Sequence, residues 1–220
     1  MKRGFFVTGT GTGVGKTFVT ALIAKQAVAA GLRVFAFKPI ETGCLLVDGR
    51  RVGEDQEVLA KAAGGWQQDG LRSLYAFERP LAPLAAAQAE NTAVDLFHVE
   101  QVFATGSVGM DVVLVEGAGG WRVPITPSDD IGALAKRLGL PIVLVGAAGL
   151  GTINHSVLTA EAIQRDGCVL EVIVLSRRPE DALEFSLQNA REIARLTRCR
   201  VVLSDHLDIE QLVGSFSRTE

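Results

Sequence analysis

The stretch GTGTGVGKT, residues 9–17, follows an apolar run at 5–7 and leads into an alanine-rich segment. Its end matches the phosphate-binding pattern G-x-x-x-x-G-K-[ST], although Thr10 takes the place of the first glycine. A strand, a glycine-rich turn and a helix in this order suit an anion, because free backbone amides at the helix start can approach it closely. The pattern predicts that Lys16 contacts the β- and γ-phosphates of a nucleotide and that the Thr17 hydroxyl binds Mg²⁺.

Two other interpretations of this loop compete with that one. The dinucleotide fingerprint G-x-G-x-x-G is excluded, because the sixth residue is Val14 when counted from Gly9 and Lys16 when counted from Gly11. A plain glycine-rich β–α turn without a ligand stays open, since glycine is common in tight turns. The Gly-Lys-Thr ending favours a nucleoside triphosphate over both.

Outward from the loop, short β-rich runs alternate with helical stretches. Several of the runs are apolar without alternation, which is typical of a parallel sheet covered on both faces. We therefore predict one α/β domain over residues 1–220, a doubly wound, mostly parallel sheet with helices on both faces, as in P-loop NTPases. Residues 44–92 are the least regular part and are expected to cap the carboxyl edge of the sheet. Predicted strands are 5–7, 33–37, 111–115, 141–145, 169–175 and 200–203, and predicted helices are 17–30, 54–63, 131–138, 152–165 and 180–196.

Length, charge and composition narrow the class of protein. A chain of 220 residues suffices for one sizeable core, and a net charge of −3 with a pI near 5.7 argues against a nucleic-acid partner. No apolar run reaches the roughly 20 residues that cross a bilayer, and no signal-peptide pattern precedes the first strand. Cys44, Cys168 and Cys199 suggest reduced thiols rather than a disulfide or zinc framework. We expect a soluble, cytoplasmic protein with no membrane partner.

Two charged residues elsewhere in the sequence fit a nucleotide site. Glu116 ends the buried strand DVVLVE and precedes the glycines of GAGG, where a carboxylate can hold a metal beside a phosphate loop. Lys38 ends the second strand and can reach the same sheet edge. The alternatives are that Glu116 caps a turn and that Lys38 is simply solvated. Spacing alone does not decide between these interpretations.

Five segments taken together resemble the ATP-dependent dethiobiotin synthetases, enzymes of biotin synthesis. That family also carries Thr at the Thr10 position, so the departure from the general phosphate-loop pattern is a family feature. The order and spacing of several motifs make the resemblance much more specific than the loop alone. The segments are FVTGTGTGVGKT (6–17), FKPIETG (37–43), GEDQEVLA around Asp55, VLVEGAGGW (113–121) and LGTINHSVLTA (150–160).

The resemblance implies a reaction with three substrates. An amine of 7,8-diaminononanoate takes up CO₂ to form a carbamate, and the γ-phosphate of ATP is transferred to that carbamate. The second amine then closes a cyclic urea as phosphate leaves. Such chemistry demands in-line positioning and cations around the transferred group.

The resemblance also implies roles for single residues. Lys16 and Lys38 would neutralise phosphate and carbamate oxygens, and Thr12 and Thr42 would hydrogen-bond near the reacting end. The implied catalytic residues are Lys38, Lys16 and Thr12, and the implied Mg²⁺ ligands, direct or through water, are Thr17, Asp55 and Glu116. Main-chain groups of residues 116–119 would line the diamine side. Implied nucleotide contacts are Gly13, Val14, Gly15, Lys16, Thr17, Phe18, Asp55, Glu116, Gly117, Ala118, Gly119 and Ser176.

A further implied substrate contact comes from a second copy of the chain. The segment Gly151, Thr152, Ile153 and Asn154 opens a predicted helix, so its free amides suit a carboxylate. In the family this segment reaches the substrate carboxylate from the neighbouring subunit, which implies a homodimer with shared active sites. Ordinary helix capping by Thr152 or Asn154 remains the alternative.

The sequence departs from the family pattern at the nucleotide end. Gly13 stands where relatives can carry an acidic residue, and Leu175-Ser176 stands where the family often has Asn-Asp, with the Asn reading adenine. The later G-x-x-P segment is replaced by LSDHL at 203–207. Leucine lacks the amide's paired donor and acceptor, so we hypothesise weak discrimination among bases. Arg177 and Arg178 either stack on the base or lie in a solvated loop, and contacts from Ser204 and Asp205 are equally open.

Other proteins with this loop layout form the competing hypotheses. Partitioning and cell-division ATPases carry a second lysine five residues before the phosphate-loop lysine, where this chain has Gly11. Cobyrinate-type amidating synthetases append a glutamine-hydrolysing domain, for which 220 residues leave no room. A paralogue that binds nucleotide without catalysis stays open because of the altered base-binding end.

Overall fold

The computed structural model describes residues 3–208 and 212. This part of the chain contains ten strands and seven helices, and two short 3₁₀ turns lie at Asp69–Leu71 and Ser204–His206. The strands are β1 (Arg3–Gly9), β2 (Val34–Phe37), β3 (Ile40–Thr42), β4 (Leu45–Val47), β5 (Arg50–Val52), β6 (Tyr75–Phe77), β7 (Val112–Gly120), β8 (Ile142–Ala147), β9 (Leu170–Ser176) and β10 (Val201–Leu203). The helices are α1 (Lys16–Ala29), α2 (Glu54–Ala62), α3 (Pro83–Ala89), α4 (Leu96–Gly106), α5 (Ile131–Leu138), α6 (Thr152–Arg165) and α7 (Leu183–Thr197).

Six strands form one parallel sheet in the order β10–β9–β8–β1–β7–β2. The chain passes from β1 through α1 to β2 and only later inserts β7 between them, whereas β8, β9 and β10 add to the other side of β1. The direction of winding therefore reverses at β1. In such sheets ligands bind outside the carboxyl ends of the strands near this reversal, which is where the loop at 9–17 lies.

Helices cover both faces of the sheet because alternate residues of the central strands are buried on opposite sides. In β1, Phe6 belongs to one core cluster while Phe5 and Val7 belong to the other. In β2, Phe35 packs with the first cluster and Val34 with the second. The predicted doubly wound α/β fold is confirmed, and its apolar runs without alternation have the cause expected for a sheet buried on both faces.

Three predicted strands are longer than the sequence suggested, β1 at both ends and β7 and β8 at their carboxyl ends, and one region is more regular. β7 continues to Gly120 and β8 to Ala147, because glycine and alanine extend the parallel pairing without adding a large side chain. Within 44–92 the structure contains a hairpin of β4 with β5, helix α3, and strand β6, which pairs with β3 just before this region. Among the described residues, no helix has the length and apolarity needed to cross a membrane.

Candidate active site

The loop between β1 and α1 has a backbone that favours glycine at two positions. Gly13 and Gly15 have φ values of 73° and 93°. Gly15 begins α1, and no side chain caps the amides of that helix's first turn. A Cβ added to Gly15 would lie 2.2 Å from Ser176 Oγ at the end of β9, so the residue must be small as well as left-handed. Lys16 Nζ donates to the carbonyl of Gly11, 2.9 Å away, which folds the lysine back over the loop.

Next to this loop, four elements bring charged and hydroxyl side chains together around a buried carboxylate. Glu116, in β7, is completely buried. Its Oε1 accepts from Thr17 Oγ1 at 2.7 Å and from Lys38 Nζ at 3.0 Å, and its Oε2 accepts from Thr20 Oγ1 at 2.8 Å. Lys38, from the end of β2, also pairs with Asp55 in the first turn of α2. Lys38 and Glu116 therefore face the phosphate loop rather than solvent.

The two lysines of this cluster have opposite electrostatic environments. Burial lowers the pKa of Lys16 to about 8, and Lys38 adds to that effect while Glu116 and Asp55 oppose it. Burial alone would also lower the pKa of Lys38, but attraction to Glu116 and Asp55 outweighs it and raises this pKa above the ordinary value. Lys38 is thus fixed as a cation by its carboxylate neighbours. Lys16 is the less compensated charge, and an anion in the site would compensate it.

A cavity of about 560 Å³ opens over this cluster. Eleven of the residues predicted for the site line it, together with five other residues from 80–83 and 123 and with Glu41. Its volume falls within the range typical of small-molecule sites. The predicted residues that line it are Thr12, Gly13, Gly15, Lys16, Thr17, Phe18, Lys38, Thr42, Asp55, Ala118 and Gly119.

Four predicted nucleotide contacts lie outside the cavity wall. Glu116 lies behind the hydroxyls and lysine that bond to it. Val14 packs into a core cluster, and Gly117 backs onto Ile131 and Phe6, where an added Cβ would come within 2.9 Å of a side-chain atom. Ser176 contacts the opposite side of the phosphate loop at Gly15. Their roles as nucleotide contacts stay predictions.

Thr17, Asp55 and Glu116 offer a hydroxyl and two carboxylates, the hard oxygen ligands that Mg²⁺ takes. In the part of the chain that the structure describes, no group of three or more His, Cys, Asp or Glu side chains forms a metal cage. Mg²⁺ usually needs no such cage, since it binds one or two carboxylates, substrate phosphates and water. The residues present therefore fit this ion as a partner of a bound triphosphate.

The segment that opens α6 does not reach this cavity within one chain, since none of residues 151–154 lines it. Gly151 begins the helix with φ of 88°, Thr152 is buried with its hydroxyl 3.4 Å from that of Ser156, and Ile153 packs against the core. The capping alternative is wrong, because no side chain caps this helix start. Asn154 is exposed, so it stays available to a second copy of the chain.

At the end of the sheet where the nucleotide base was expected, Arg177 is bonded by other residues of the protein. Its guanidinium donates to Asp205 at 2.6 Å and to the Asp181 carbonyl at 3.0 Å, and its amide donates to Ser204 Oγ at 3.1 Å. Ser204 and Asp205 therefore have structural partners, and Arg177 is engaged rather than free to stack on a base. Leu175 is completely buried in the core, so its side chain does not face a base.

Sequence reasoning missed several residues of the site. Thr20 shares the face of α1 with Thr17 and bonds the same carboxylate, a signal available from their spacing of three. Glu41 lines the cavity from within the quoted segment FKPIETG. Leu81, Pro80 and Pro83 form an apolar wall that no recognised motif indicated.

A lysine-bearing glycine loop at the carboxyl edge of a parallel sheet, beside two carboxylates, defines a P-loop nucleotide-binding protein. Solved structures share this fold. They include a ParA family ATPase from Chlorobium tepidum TLS, with TM-score 0.56, 14% identity and coverage of 92% of this chain and 82% of that one. The septum site-determining protein MinD from Pyrococcus horikoshii OT3 has TM-score 0.54, 18% identity and coverage of 86% and 77%.

Sequence relatives are more specific than the fold. A family model described as an AAA domain matches residues 3–205. The ATP-dependent dethiobiotin synthetase BioD of Anaeromyxobacter dehalogenans (strain 2CP-C) is 46% identical over 198 residues, 89% of this chain and 86% of that protein. Its namesake from Anoxybacillus flavithermus is 35% identical over 207 residues, 91% and 90% of the two chains. The chain belongs to the ATP-dependent dethiobiotin synthetase family.

Proposed function

We propose that this chain is an ATP-dependent dethiobiotin synthetase. It would convert 7,8-diaminononanoate, CO₂ and ATP into dethiobiotin, ADP and phosphate. The observation that carries the proposal is the cavity in which Lys16 and Lys38 meet beside Asp55 and Glu116. Two cations at one phosphate loop suit a reaction that holds a carbamate and a triphosphate together, because each bears negative charge.

In this mechanism the chain's own residues bind and orient the reactants. Lys16 and the loop amides hold the β- and γ-phosphates, and Lys38 holds the carbamate oxygens in line with the γ-phosphorus. The carbamate oxygen attacks phosphorus and ADP leaves. The second amine then attacks the carbamoyl carbon, loses a proton and releases phosphate, which closes the ring. Thr12 and Thr42, both in the cavity wall, would donate hydrogen bonds near the reacting end.

Mg²⁺ would be held by Thr17, Asp55 and Glu116 and would offset charge on the β- and γ-phosphates. The support is the set of oxygen ligands that converge next to Lys16. We also propose a homodimer in which residues 151–154 of each subunit bind the substrate carboxylate in the other's site. The support is the exposed Asn154 at a helix start without a side-chain cap. We further propose a cytoplasmic location, which the family membership and the proposed use of ATP support.

The rival function is a nucleotide switch of the partitioning type, favoured by the shared fold. Gly11 stands where those proteins are expected to have a second lysine, and here the Gly11 carbonyl accepts from Lys16 instead. One assay separates the possibilities: phosphate release from MgATP and bicarbonate, with and without the diamine. Release that needs the diamine identifies the synthetase, basal hydrolysis alone favours a switch, and no release favours a paralogue without catalysis.

Lys16→Ala tests the proposed phosphate contact directly. We expect a loss of diamine-dependent phosphate release of about 100-fold or more, the typical effect of removing one charge-stabilising donor. Circular dichroism would show whether the fold is retained. Activity close to that of the unsubstituted enzyme would contradict the proposed role of Lys16.

Weak base discrimination remains part of the proposal, because Leu175 is buried and Arg177 is engaged by Asp205. Comparable kcat/KM values for ATP, CTP and GTP would support it. A strong preference for ATP would contradict it.

A further inference from the structure

Glu41 is a buried acid at the edge of the proposed active site that the mechanism above does not use. It lies in the short strand β3, is 6% exposed and lines the cavity. Its Oε1 accepts from the amide of Asp55 at 2.8 Å and its Oε2 accepts from the amide of Gln56 at 2.9 Å. Both oxygens of one carboxylate are therefore bonded to the first turn of α2.

These two bonds replace the cap that helix α2 lacks. Residue Gly53 precedes the helix and provides no side-chain cap. Unpaired amides at a helix start need a partner, and a carboxylate also interacts favourably with the helix dipole. Glu41 supplies this partner from a different strand, so the start of α2 is tied to β3 rather than only to its own preceding loop.

The same turn carries the carboxylate of Asp55, which pairs with Lys38. A second tie fixes the turn to β2, since Gln56 Nε2 donates to the Lys38 carbonyl at 2.9 Å. Helix α2 is therefore held at its start by Glu41 and by Lys38, the residue that Asp55 faces.

Gly53 has no side chain, which leaves room for this arrangement. Its φ of −86° suits any residue, so glycine is not required by backbone conformation. A Cβ at this position would instead lie 2.3 Å from Glu41 Oε2. The absence of a side chain at Gly53 is what lets the Glu41 carboxylate approach the helix amides.

We propose that Glu41 is a positioning residue that sets the place of Asp55 through its two hydrogen bonds to the start of α2, and so tunes metal binding beside the triphosphate. The proposal rests on the proposed function, in which Asp55 is a ligand of the divalent ion. Residues that orient metal ligands typically alter metal affinity about 10–100-fold when they are substituted.

The test compares Glu41→Gln with a matched cap variant far from the site. Glutamine keeps one acceptor oxygen but sets an amide donor against a helix amide. Asp95→Ala removes an equivalent cap, because Asp95 Oδ1 accepts from Phe97 N at 2.9 Å at the start of α4. Two quantities are measured. Electron paramagnetic resonance gives the dissociation constant of Mn²⁺ in the presence of ATP, and an activity assay gives the Mg²⁺ concentration at half-maximal phosphate release. Thermal unfolding of each variant measures how much stability the folded protein loses, separately from metal binding.

We expect Glu41→Gln to raise the Mn²⁺ dissociation constant and the half-maximal Mg²⁺ concentration about tenfold each. Asp95→Ala should lower thermal stability and leave both of these values unchanged. Gly53→Ala should resemble Glu41→Gln, and the double variant should show no further loss, because both changes break one contact. Equal metal dependence in Glu41→Gln and Asp95→Ala would overturn the proposal. So would a failure of both Glu41→Gln and Gly53→Ala to fold, since the contact would then be structural.

The Mn²⁺ measurement separates this inference from the proposed function. If the unsubstituted protein shows no diamine-dependent phosphate release, the synthetase proposal fails, yet weaker Mn²⁺ binding by Glu41→Gln still supports the role of Glu41. If the protein is an active synthetase and Glu41→Gln binds Mn²⁺ normally, only the role of Glu41 is overturned.

Discussion

Single residues of the site differ in how far the sequence could reveal them. Lys38 and Glu116 were predictable because a charged residue at the carboxyl end of a buried parallel strand reaches the same sheet edge, whereas Asp55 was indicated only by the family resemblance. Thr20 and Glu41 were not predicted, because their importance lies in contacts between segments far apart in the chain. The spacing of three between Thr17 and Thr20 indicates a shared helix face but not the carboxylate that both bond, and a glutamate in a short strand has no distinctive pattern of its own.

Gly15→Ala should abolish activity more completely than Gly11→Ala. Gly15 has φ of 93° and its added Cβ would meet Ser176 Oγ at 2.2 Å, whereas nothing lies within 4 Å of a Cβ at Gly11. A strained backbone of this kind costs about 1–3 kcal/mol before the steric clash is counted. ATP binding by calorimetry, with circular dichroism for the fold, measures the difference. Equal losses of ATP affinity in Gly15→Ala and Gly11→Ala would mean that the contact with Ser176 does not shape the loop.

Thr20→Val should destabilise the protein by about 1–3 kcal/mol, because it leaves a buried oxygen of Glu116 without its donor. The Thr20 hydroxyl is completely buried and also lies 2.9 Å from the Lys16 carbonyl. Thr159→Val is the matched control, since its hydroxyl donates to the His155 carbonyl on an exposed helix face. Urea unfolding gives the free energies. Similar losses in the free energy of unfolding for Thr20→Val and Thr159→Val would show that the Glu116 carboxylate does not need the hydrogen bond from Thr20.

At the scale of elements, regular buried strands were easier to predict than short paired ones. The apolar runs within β7, β8 and β9 are longer than three residues and are bounded by turn residues. The pairs β3–β6 and β4–β5 contain strands of three residues, too short to display a period. Helix α4, which was not predicted, begins at an Asp95 cap followed by an apolar pattern, a signal that the sequence does contain.

The end of α6 is tied to the loop after β7 through Asp166, which predicts a pH-dependent contribution to stability. Burial raises the pKa of this carboxyl, but hydrogen bonds from Arg122 and Trp121 outweigh it and hold the pKa below its ordinary value. Their distances are 2.9 and 2.8 Å. A lowered folded-state pKa means that this stabilisation is present above about pH 4, the value of an unperturbed aspartate, and is lost as pH falls through the folded-state pKa.

Asp166→Asn should therefore lower the melting temperature at pH 7, and the difference from the unsubstituted protein should shrink progressively below about pH 4. Glu192→Gln is the control, because Glu192 pairs with Arg195 on an exposed helix surface and such pairs contribute little. Differential scanning fluorimetry across the pH range suffices. A difference in melting temperature that stays constant down to acidic pH would contradict the stabilising role of the Asp166 carboxylate.

At the scale of the whole molecule, the fold class followed from the order of strands and helices, whereas assembly did not. One chain contains the phosphate loop and both lysines but places residues 151–154 away from the cavity. An interface between copies leaves no period or motif in one sequence, so its prediction depended entirely on the family resemblance.

Mixed dimers test the shared site. Lys16→Ala and Asn154→Asp should each be nearly inactive alone. Asn154→Asp is expected to lose activity because its new carboxylate repels the carboxylate of the substrate. Unfolded together and refolded, they should recover about a quarter of the unsubstituted activity, since half of the random dimers would contain one intact site. A chain that carries both substitutions, treated in the same way, is the control. No recovery after subunit exchange would show that each chain builds its site alone.

The late insertion of β7 has a consequence for how the protein folds during its synthesis on the ribosome. β2 pairs with β7 and with no other strand in the described sheet, so the two earliest strands, β1 and β2, lack the strand that pairs with both while the chain is still short. Glu116 arrives with that same late strand. A nascent chain that ends before β7 thus has the complete glycine loop without the strand that joins β1 to β2, so ATP binding can stabilise the fold only after translation has passed residues 112–120 of the 220.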